Sequence, residues 1–427
     1  MKRIVASLVG DLLDTRQPLE KRVDSRHARR LAWTVLAIYL GVLSVSSTLR
    51  NQGDYRVYYV AGERVLRGEE VYAPSDKNKF IYAPVIAYAF APFALLPKYP
   101  SKTVWFLVNA AALLAFLYGS TVMLFGRGTA LSAPLVFVPT LLSFRFIENN
   151  FHHGQINLLV LAAIVWSIVY VRENRTARGG ALLGAAILVK PFALVAALYL
   201  MLDRRWRALV WTGVAIAALL VAPILLLGPE RWVSEMKAYQ DAVLIMGKRY
   251  RTMSINQSAV AAVARVTGGA PWGPLGTPAA IAMGFEMVML IAVAAWIFRA
   301  RTDQLANPWP LRFALAGLFC VMPSITPISW KSYYASLLVP YMVLTMSIWM
   351  DQPRGVRSSR AVWILIAISF AVNIVPTYRL NKLALFYSSH LISSLLVLAA
   401  VFAASRYASI PAIASQNTAA ESGMSRG

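Results

Sequence analysis

Long apolar runs separated by polar segments make up most of the chain. The runs are about 18 to 23 residues long, which is enough for a helix to cross about 30 Å of hydrocarbon. The pattern predicts an all-α polytopic membrane protein with about twelve transmembrane helices, which form a single domain over 31–405. The predicted spans are 31–49, 80–97, 103–125, 130–147, 155–171, 179–201, 206–228, 280–298, 309–326, 331–350, 361–378 and 383–404.

Two polar segments, 50–79 and 229–279, are much longer than the other connections. Basic residues gather in several of the short connections and mark those as cytoplasmic, which puts both long segments on the extracytoplasmic side of the cell membrane. Residues 1–30 are then a cytoplasmic lead-in, and 406–427 are predicted as a disordered cytoplasmic tail. Within 57–70, apolar side chains recur at helical spacing, which predicts a short helix along the membrane surface.

One region does not fit this topology. Arg172, Arg175 and Arg178 fall outside, and the polar run 148–155 falls inside, contrary to the usual distribution of charge. Both assignments reverse if 130–147 is a re-entrant or broken hairpin. Irregular backbone at membrane depth is allowed where protein buries it or where it lines a water-filled cavity. Both alternatives stay open at this stage.

Composition supports a membrane protein and excludes other classes. Hydrophobic residues make up 58% of the chain and charged residues only 14%, where a soluble domain carries about 25% charged residues. The 42 Lys and Arg against 19 Asp and Glu give a net charge of +23. Basic cytoplasmic loops explain most of this excess, and affinity for anionic lipid explains the rest. Nucleic acid is not an expected partner, because the basic residues form no continuous stripe.

Asp54 is the first candidate for chemistry, since it follows the first span in the company of several tyrosines. Tyrosine rings stack on sugars, and a carboxylate can accept the proton of an attacking hydroxyl. The pattern indicates a sugar site with Asp54 as general base, the alternative being a solvated acid or one paired with Arg56. The aromatic residues of this predicted sugar site are Tyr55, Tyr58, Tyr59 and Tyr82.

Lys190 is the second candidate. It lies in the middle of an apolar run and precedes Pro191, which predicts a kink in the helix. A lysine at this depth is costly unless it is paired or faces a wet cavity, so function is the default interpretation. An ammonium group beside an outer cavity suits a phosphate, whereas a structural pair with Glu148 is the alternative.

Further polar residues could contact the substrates. Amides and aromatic rings bind sugar hydroxyls, but they also form interhelical hydrogen bonds, helix caps and interfacial belts. Adjacent histidines at 152 and 153 do not share a helix face, so they predict no metal site. The candidates for sugar contacts are His153, Gln155, Asn157, Asn256, Gln257 and Trp330, and Lys331 is a second candidate for phosphate.

Seven short motifs occur in order along 50–340. They are Gly53-Asp54-Tyr55 with Tyr58-Tyr59, Tyr82-Ala83-Pro84, Pro92 with Leu96-Pro97, Gly154-Gln155-Ile156-Asn157, Gly184 with Lys190-Pro191, Asn256-Gln257-Ser258 and Pro327-Ile328-Ser329-Trp330. Together they resemble the pattern of glycosyltransferase family 87, a family of polyprenyl-phosphate-mannose-dependent α-mannosyltransferases with the membrane C-type glycosyltransferase fold. Each motif is weak alone, and their order and spacing make the set specific. In this chain Lys331 follows the tryptophan, where members often carry a histidine shortly afterwards.

The resemblance implies a membrane hexosyltransferase that works at the extracytoplasmic face. A hexose, with mannose favoured, would pass from a polyprenyl-phosphate donor to a hydroxyl of a glycolipid or glycan acceptor, with inversion at the anomeric carbon. Asp54 would be the base, Lys190 or Lys331 would hold the donor phosphate, and neither a cofactor nor a divalent metal is expected. A multi-pass lipid or solute transporter that uses Lys190 is the alternative, and a structural partner in an envelope-building complex is a third hypothesis.

Overall fold

The computed structural model describes residues 26–50, 52–73, 76, 80–267, 277–301, 307–350, 352–374 and 378–409. Within these ranges the regular structure is helical throughout, which confirms the predicted all-α class. Most of the predicted lead-in and tail lies outside the described residues. The first helix begins at Arg26, inside the predicted lead-in, and residues Arg406–Ser409 form a short 3₁₀ helix.

The helices follow one another with short connections. Within the described ranges, three 3₁₀ helices accompany them, at Pro191–Ala193, Lys331–Leu337 and Arg406–Ser409. The α-helices are α1 (Arg26–Leu49), α2 (Gly53–Arg67), α3 (Pro84–Ala94), α4 (Lys98–Phe125), α5 (Ala133–Leu142), α6 (Phe144–His153), α7 (Asn157–Arg172), α8 (Thr176–Val189), α9 (Leu194–Leu202), α10 (Trp206–Val221), α11 (Ile224–Leu227), α12 (Pro229–Tyr250), α13 (Ala259–Thr267), α14 (Thr277–Ala300), α15 (Trp309–Val321), α16 (Leu338–Met350), α17 (Arg360–Asn373), α18 (Tyr378–Phe386) and α19 (Ser389–Ser405).

The chain is a multi-pass membrane protein. Among the described residues, 6 helices are long and apolar enough to cross a bilayer, and shorter apolar helices lie between them. The predicted number of twelve crossings is not confirmed, because several predicted spans are short or broken. The long helices are Arg26–Leu49, Lys98–Phe125, Trp206–Leu227, Ala280–Ala300, Lys331–Met350 and Ser389–Ala408.

Two predicted spans are interrupted by irregular backbone. The predicted span 179–201 breaks at Lys190, which is extended (φ −144°, ψ 112°), and Pro191 then opens a 3₁₀ turn; the predicted kink is confirmed. The predicted span 130–147 breaks at Ser143 into α5 and α6. At 1.5 Å per residue, α5 is about 15 Å long and cannot cross the hydrocarbon alone. A single continuous span at 130–147 is therefore wrong, and the broken alternative agrees with the structure.

The short helix predicted within 57–70 forms as α2, and its position along the membrane surface stays a prediction. Its buried face differs from the one expected. Tyr55, Tyr58 and Ala61 are buried, whereas the predicted apolar positions Val57 and Val65 are only half-buried. The aromatic rings turn inward because they pack against Trp105 and the rings of α3. A Cβ added at Gly62 would lie 2.5 Å from the carbonyl oxygen of Phe90, so a glycine is needed where α2 crosses α3.

This pairing of α2 and α3 creates a second apolar cluster beside the main membrane core. It contains Tyr55, Tyr58, Tyr72, Phe80 and Tyr82, and Ala242 of α12 packs on it. Aromatic side chains bury large areas and keep few rotamers, so a cluster of this kind is stiff. The cluster thereby holds α2 and α12 against the membrane domain, and a cavity is left between them.

Candidate active site

A cavity of about 400 Å³ lies where α2, α6, the break at Lys190, α12, α18 and the 3₁₀ turn after Trp330 meet. Its wall contains one carboxylate, two lysines, amides and aromatic rings. The residues that line it are Gly53, Asp54, Val57, Tyr58, Ile81, Tyr82, Asn149, His153, Gln155, Lys190, Met246, Tyr250, Ile255, Trp330, Lys331, Asn381 and Leu385.

Asp54 lies in the first turn of α2, where the helix dipole favours a negative charge. Its Oδ2 accepts a 2.6 Å hydrogen bond from Nε2 of Gln155 and lies 3.8 Å from Nδ1 of His153. The side chain is 42% exposed, and that exposed part lies at the cavity. Surrounding protein nevertheless raises the pKa of Asp54 by desolvation, and the charges of His153 and Lys190 with the Gln155 hydrogen bond oppose this shift. A carboxylate with a raised pKa is a stronger base than an ordinary aspartate.

The turn that carries Gln155 is locked against α2. Helix α6 ends at Gly154, whose positive φ of 63° suits a residue without a Cβ. An added Cβ there would lie 2.6 Å from Cβ of Tyr55. The indole Nε1 of Trp105 donates to the carbonyl oxygen of Gly154 at 2.8 Å. These contacts place the Gln155 amide opposite Asp54, although the two residues are far apart in sequence.

Lys190 is a buried ammonium that pairs with no carboxylate among the residues that the structure describes. Its Nζ donates to the hydroxyl of Tyr333 at 3.1 Å and lies 4.9 Å and 5.0 Å from the ring centres of Tyr82 and Tyr333. The predicted alternative, a structural pair with Glu148, is wrong, because Glu148 pairs with Arg145 and His152 instead. Aromatic faces and hydroxyls stabilise a cation without neutralising it. The positive charge of Lys190 is therefore left available to an anion in the cavity.

Lys331 brings a second cation to the same wall. It opens the 3₁₀ turn after Trp330 and is half-buried at the cavity. Two hydrogen bonds from side-chain amides hold this turn in place. Nδ2 of Asn150 donates to the carbonyl oxygen of Ser332 and Nδ2 of Asn157 donates to the Ser332 hydroxyl, both at 2.9 Å. Among the described residues, two lysines and one carboxylate, that of Asp54, line this cavity, which suits a ligand that carries negative charge.

The structure brings most, but not all, of the predicted site residues together. Five predicted residues lie behind the cavity wall rather than on it, and each has a packing role. The residues on the wall are Asp54, Tyr58, Tyr82, His153, Gln155, Lys190, Trp330 and Lys331, and those behind it are Tyr55, Tyr59, Asn157, Asn256 and Gln257.

Tyr55 and Tyr59 pack on neighbouring helices instead of facing the cavity. The hydroxyl of Tyr55 bonds Oγ of Ser101 at 2.5 Å and its ring stacks on Trp105, while the hydroxyl of Tyr59 donates to the carbonyl oxygen of Leu96 at 3.0 Å. Helical spacing explains this outcome, because residues one and five positions after Asp54 point away from it around α2.

Asn157, Asn256 and Gln257 act as buried braces. Asn157 holds the 3₁₀ turn at Ser332, and Nδ2 of Asn256 donates to the carbonyl oxygen of Pro327 at 3.0 Å. Nε2 of Gln257 donates to the carbonyl oxygen of Leu385 at 2.9 Å. The amide nitrogens of all three donate to backbone or turn atoms, so these residues support the wall without lining the cavity.

Several cavity residues were missed at the sequence level. Asn149, Met246, Tyr250 and Asn381 line the cavity, and Tyr333 is the hydrogen-bond partner of Lys190. Asn149 belongs to the polar run 148–155, and that run is the sequence signal that could have identified it. Tyr333 lies in the aromatic turn after Trp330, which is the corresponding signal for Tyr333. Met246 and Tyr250 carry no signal of their own, because they belong to a long amphipathic helix.

Comparison with known proteins assigns the family. The pattern of Glycosyltransferase family 87 matches residues 80–327. A polyprenol-phosphate-mannose-dependent alpha-(1-2)-phosphatidylinositol pentamannoside mannosyltransferase of Mycobacterium tuberculosis is 27% identical over 79% of this chain and 74% of its own. The protein of the same description from Mycolicibacterium smegmatis is 24% identical over 83% of this chain and 85% of its own. An Alpha-(1->3)-arabinofuranosyltransferase of Mycobacterium tuberculosis is 28% identical over 41% of this chain and 42% of its own.

Among solved structures, ArnT from Cupriavidus metallidurans bound to undecaprenyl phosphate aligns with a TM-score of 0.43 and 16% identity, over 87% of this chain and 77% of that one. The family match covers more than half of the present chain and includes the segments that carry Tyr82, Gln155 and Lys190. The chain belongs to glycosyltransferase family 87 and is a membrane glycosyltransferase.

Proposed function

We propose that this enzyme transfers a mannosyl group from polyprenyl-phosphate-mannose to a hydroxyl of a glycolipid or glycan acceptor at the extracytoplasmic face, with inversion at the anomeric carbon. The observation that carries the proposal is the cavity in which Asp54 faces two lysines that pair with no carboxylate among the described residues. A base for one substrate and cations for an anionic leaving group are the two functions that such a transfer requires.

The donor class is supported by the relatives. The names of those that match 79% to 84% of this chain specify polyprenol-phosphate-mannose. The arabinofuranosyltransferases match only 41%. We therefore favour mannose over a pentofuranose as the transferred sugar.

In the proposed step, the acceptor hydroxyl lies against Asp54 and loses its proton to Oδ1 or Oδ2. The acceptor oxygen forms a bond to the anomeric carbon as the bond between that carbon and the phosphate oxygen breaks. The electron pair leaves with the polyprenyl phosphate, whose added negative charge is offset by Lys190 and Lys331. A single displacement of this kind inverts the anomeric configuration. Tyr58, Tyr82, His153, Gln155 and Trp330 on the wall would position the two sugars.

We further propose that the reaction needs no divalent metal, because the two lysines provide the charge that a metal would supply to the phosphate. Within the described ranges, no group of three or more His, Cys, Asp or Glu side chains is arranged to hold a metal ion. The extracytoplasmic placement is supported by the short basic connections on the opposite side of the predicted topology.

The test is direct transfer. Purified protein in lipid nanodiscs is incubated with radiolabelled polyprenyl-phosphate-mannose and candidate acceptors, and the labelled product is analysed for anomeric configuration. We expect an α-mannoside from a β-linked donor. Folded protein that transfers mannose to none of the glycolipid or glycan acceptors would contradict the proposed function, and a loss of transport activity on Lys190 substitution with full retention on Asp54 substitution would favour a transporter.

A further inference from the structure

A second, separate cavity of about 200 Å³ lies where the end of α2, the start of α3 and the junction of α11 with α12 meet. It shares no lining residue with the cavity of Asp54. Its residues are Val65, Gly68, Glu69, Val71, Pro84, Tyr88, Leu226, Leu227, Arg231 and Glu235.

Glu235 gives this cavity an unsatisfied polar group. The residue is only 4% exposed, and its Oε1 accepts a 3.2 Å hydrogen bond from the backbone N–H of Val71. Its Oε2 has no hydrogen-bond partner among the residues that the structure describes. Desolvation raises the pKa of Glu235. A buried carboxyl oxygen without a partner is costly, so a ligand hydroxyl would remove an existing penalty.

The guanidinium group of Arg231, which lines the same cavity as Glu235, limits the class of ligand that the cavity can bind. Nη2 of Arg231 donates to the carbonyl oxygens of Gly68 and Glu69 at 2.7 Å and 2.9 Å, so the guanidinium group is held at the cavity. This guanidinium offsets part of the charge of the two lining carboxylates, Glu69 and Glu235, and no group of three or more His, Cys, Asp or Glu among the described residues is arranged to hold a metal ion. A neutral polyol suits the site better, since its hydroxyls can donate to the free carboxyl oxygen. The apolar faces of Tyr88 and Val71 can pack against a sugar ring.

The position of the cavity points to a lipid. The long apolar helix Trp206–Leu227 ends at this cavity. Leu225 and Leu226 are 89% and 71% exposed there, which is the position expected of side chains that contact acyl chains at the end of a membrane helix. A ligand seated on Glu235 would therefore have its polar part in the cavity and an apolar chain beside these leucines.

We propose that this cavity is a subsite for the lipid-proximal sugar or polyol of a membrane glycolipid acceptor, with Glu235 accepting a hydroxyl hydrogen bond. This inference rests on the proposed function. The cavity volume is below the range of about 300–1,000 Å³ that is usual for larger ligands, so it fits one sugar-sized unit.

The distance between the two cavities defines the acceptor further. Glu235 lies on one cavity and Met246 of the same helix on the other, which separates them by roughly 16 Å along α12. The wall between them includes Tyr72, whose hydroxyl donates to the carbonyl oxygen of Tyr82 at 2.5 Å. A headgroup of several sugars is therefore needed if one end is held at Glu235 and the other reaches Asp54. Binding of the remote end would help to orient the reacting end.

The experiment uses photolabelling of the full-length protein in nanodiscs. The probe is octyl α-mannopyranoside with a diazirine in its alkyl chain, and labelled peptides are mapped by mass spectrometry. We expect label on residues 225–235, and competition by unlabelled octyl mannoside at lower concentration than by methyl mannoside, because the chain contributes to binding. Equal competition by methyl mannoside would overturn the assignment to a lipid.

Two substitutions make the test specific. Glu235→Gln keeps the shape and the Val71 hydrogen bond, and it should reduce this label by about tenfold, the loss expected for one hydrogen bond to a charged group. Glu235→Leu should abolish it. Glu230→Gln and Glu230→Leu on the same helix are the controls, because Glu230 is exposed and lies outside the cavity. Label that is absent from 225–235, or unchanged in both Glu235 variants, would overturn the subsite.

Transfer assays on the same variants separate this inference from the proposed function. If Glu235→Leu raises the KM for a glycolipid acceptor and leaves the KM for the donor unchanged, the subsite is supported. If transfer proceeds and the acceptor KM does not change, the subsite is wrong and the proposed function stands. If label maps to 225–235 but no mannose is transferred, the cavity still binds a glycolipid and the proposed function fails.

Discussion

The amide Nε2 of Gln155 donates a 2.6 Å hydrogen bond to Oδ2 of Asp54, joining two residues that lie 101 positions apart in the chain. One comes from the first turn of α2, and the other follows the glycine that ends α6. This bond holds Oδ2 in place, and no described residue donates a hydrogen bond to Oδ1, so a substrate hydroxyl can bind there. The pair is the centre of the candidate site.

Asp54→Asn should reduce kcat by at least about 100-fold, because the amide cannot accept the acceptor proton. The fold should be retained, since removing a desolvated negative charge costs no buried packing. The measurement is transfer from polyprenyl-phosphate-mannose with thermal unfolding in parallel. Asp241→Asn is the control, because Asp241 is exposed on α12 and does not line the cavity. Full activity in well-folded Asp54→Asn would refute the assignment of the base.

The pH dependence of kcat/KM should report the raised pKa of Asp54. A base must be deprotonated, so activity should fall as pH decreases through a value above the ordinary aspartate pKa of about 3.9. Gln155→Leu removes a hydrogen bond that lowers this pKa, so the acid limb should move to higher pH. A purely structural role for Gln155 would lower the plateau and leave the position of the limb unchanged.

Lys190→Met should lower kcat/KM for the donor by about 100-fold or more. One preorganised positive charge beside an anionic leaving group commonly contributes this much to the rate. Thermal stability should be equal or higher, because the substitution removes a buried ammonium that has no carboxylate partner in the described structure. Lys237→Met on α12 is the matched control, as Lys237 is exposed and outside the cavity. A variant that loses stability but keeps its donor KM and kcat would show that Lys190 is structural.

Gly154→Ala should destabilise the protein by about 1–3 kcal/mol, through a positive φ and contact with Tyr55. The free energy of unfolding in detergent measures this change. Gly68→Ala separates the two causes, because Gly68 has a similar left-handed conformation (φ 70°, ψ 19°) but no atom within 4 Å of an added Cβ. Equal losses in the two variants would assign the whole effect to backbone strain.

Chelation by EDTA should leave the transfer rate unchanged if Lys190 and Lys331 supply the charge for the phosphate. Added Mg²⁺ or Mn²⁺ should likewise have no effect on kcat. The measurement is the initial rate after dialysis against chelator, with the Lys190→Met protein assayed beside the wild type. A rate that falls on chelation and returns with one metal would contradict the metal-free proposal.

The sequence by itself determined the class and the main chemical groups. Long apolar runs need a membrane, and a lysine in the middle of such a run is costly enough to indicate function, which singles out Lys190. Asp54 is indicated by its position after the first span and by the tyrosines around it. Pro191 likewise predicts the break in the helix at Lys190, because proline has no backbone N–H to continue the helical hydrogen bonds.

Only the tertiary structure decided which polar residues reach the cavity. Tyr55 and Tyr58 are close neighbours on α2, yet only Tyr58 lines the cavity and Tyr55 packs on Trp105. Asn256 is as polar as Gln155, but its amide nitrogen donates to the backbone carbonyl oxygens of Tyr250 and the distant Pro327. Local pattern sets what a side chain can bind, whereas its direction and its partners depend on how distant helices pack. That packing also created the cavity at Glu235, because its wall is assembled from helices that are far apart in the chain.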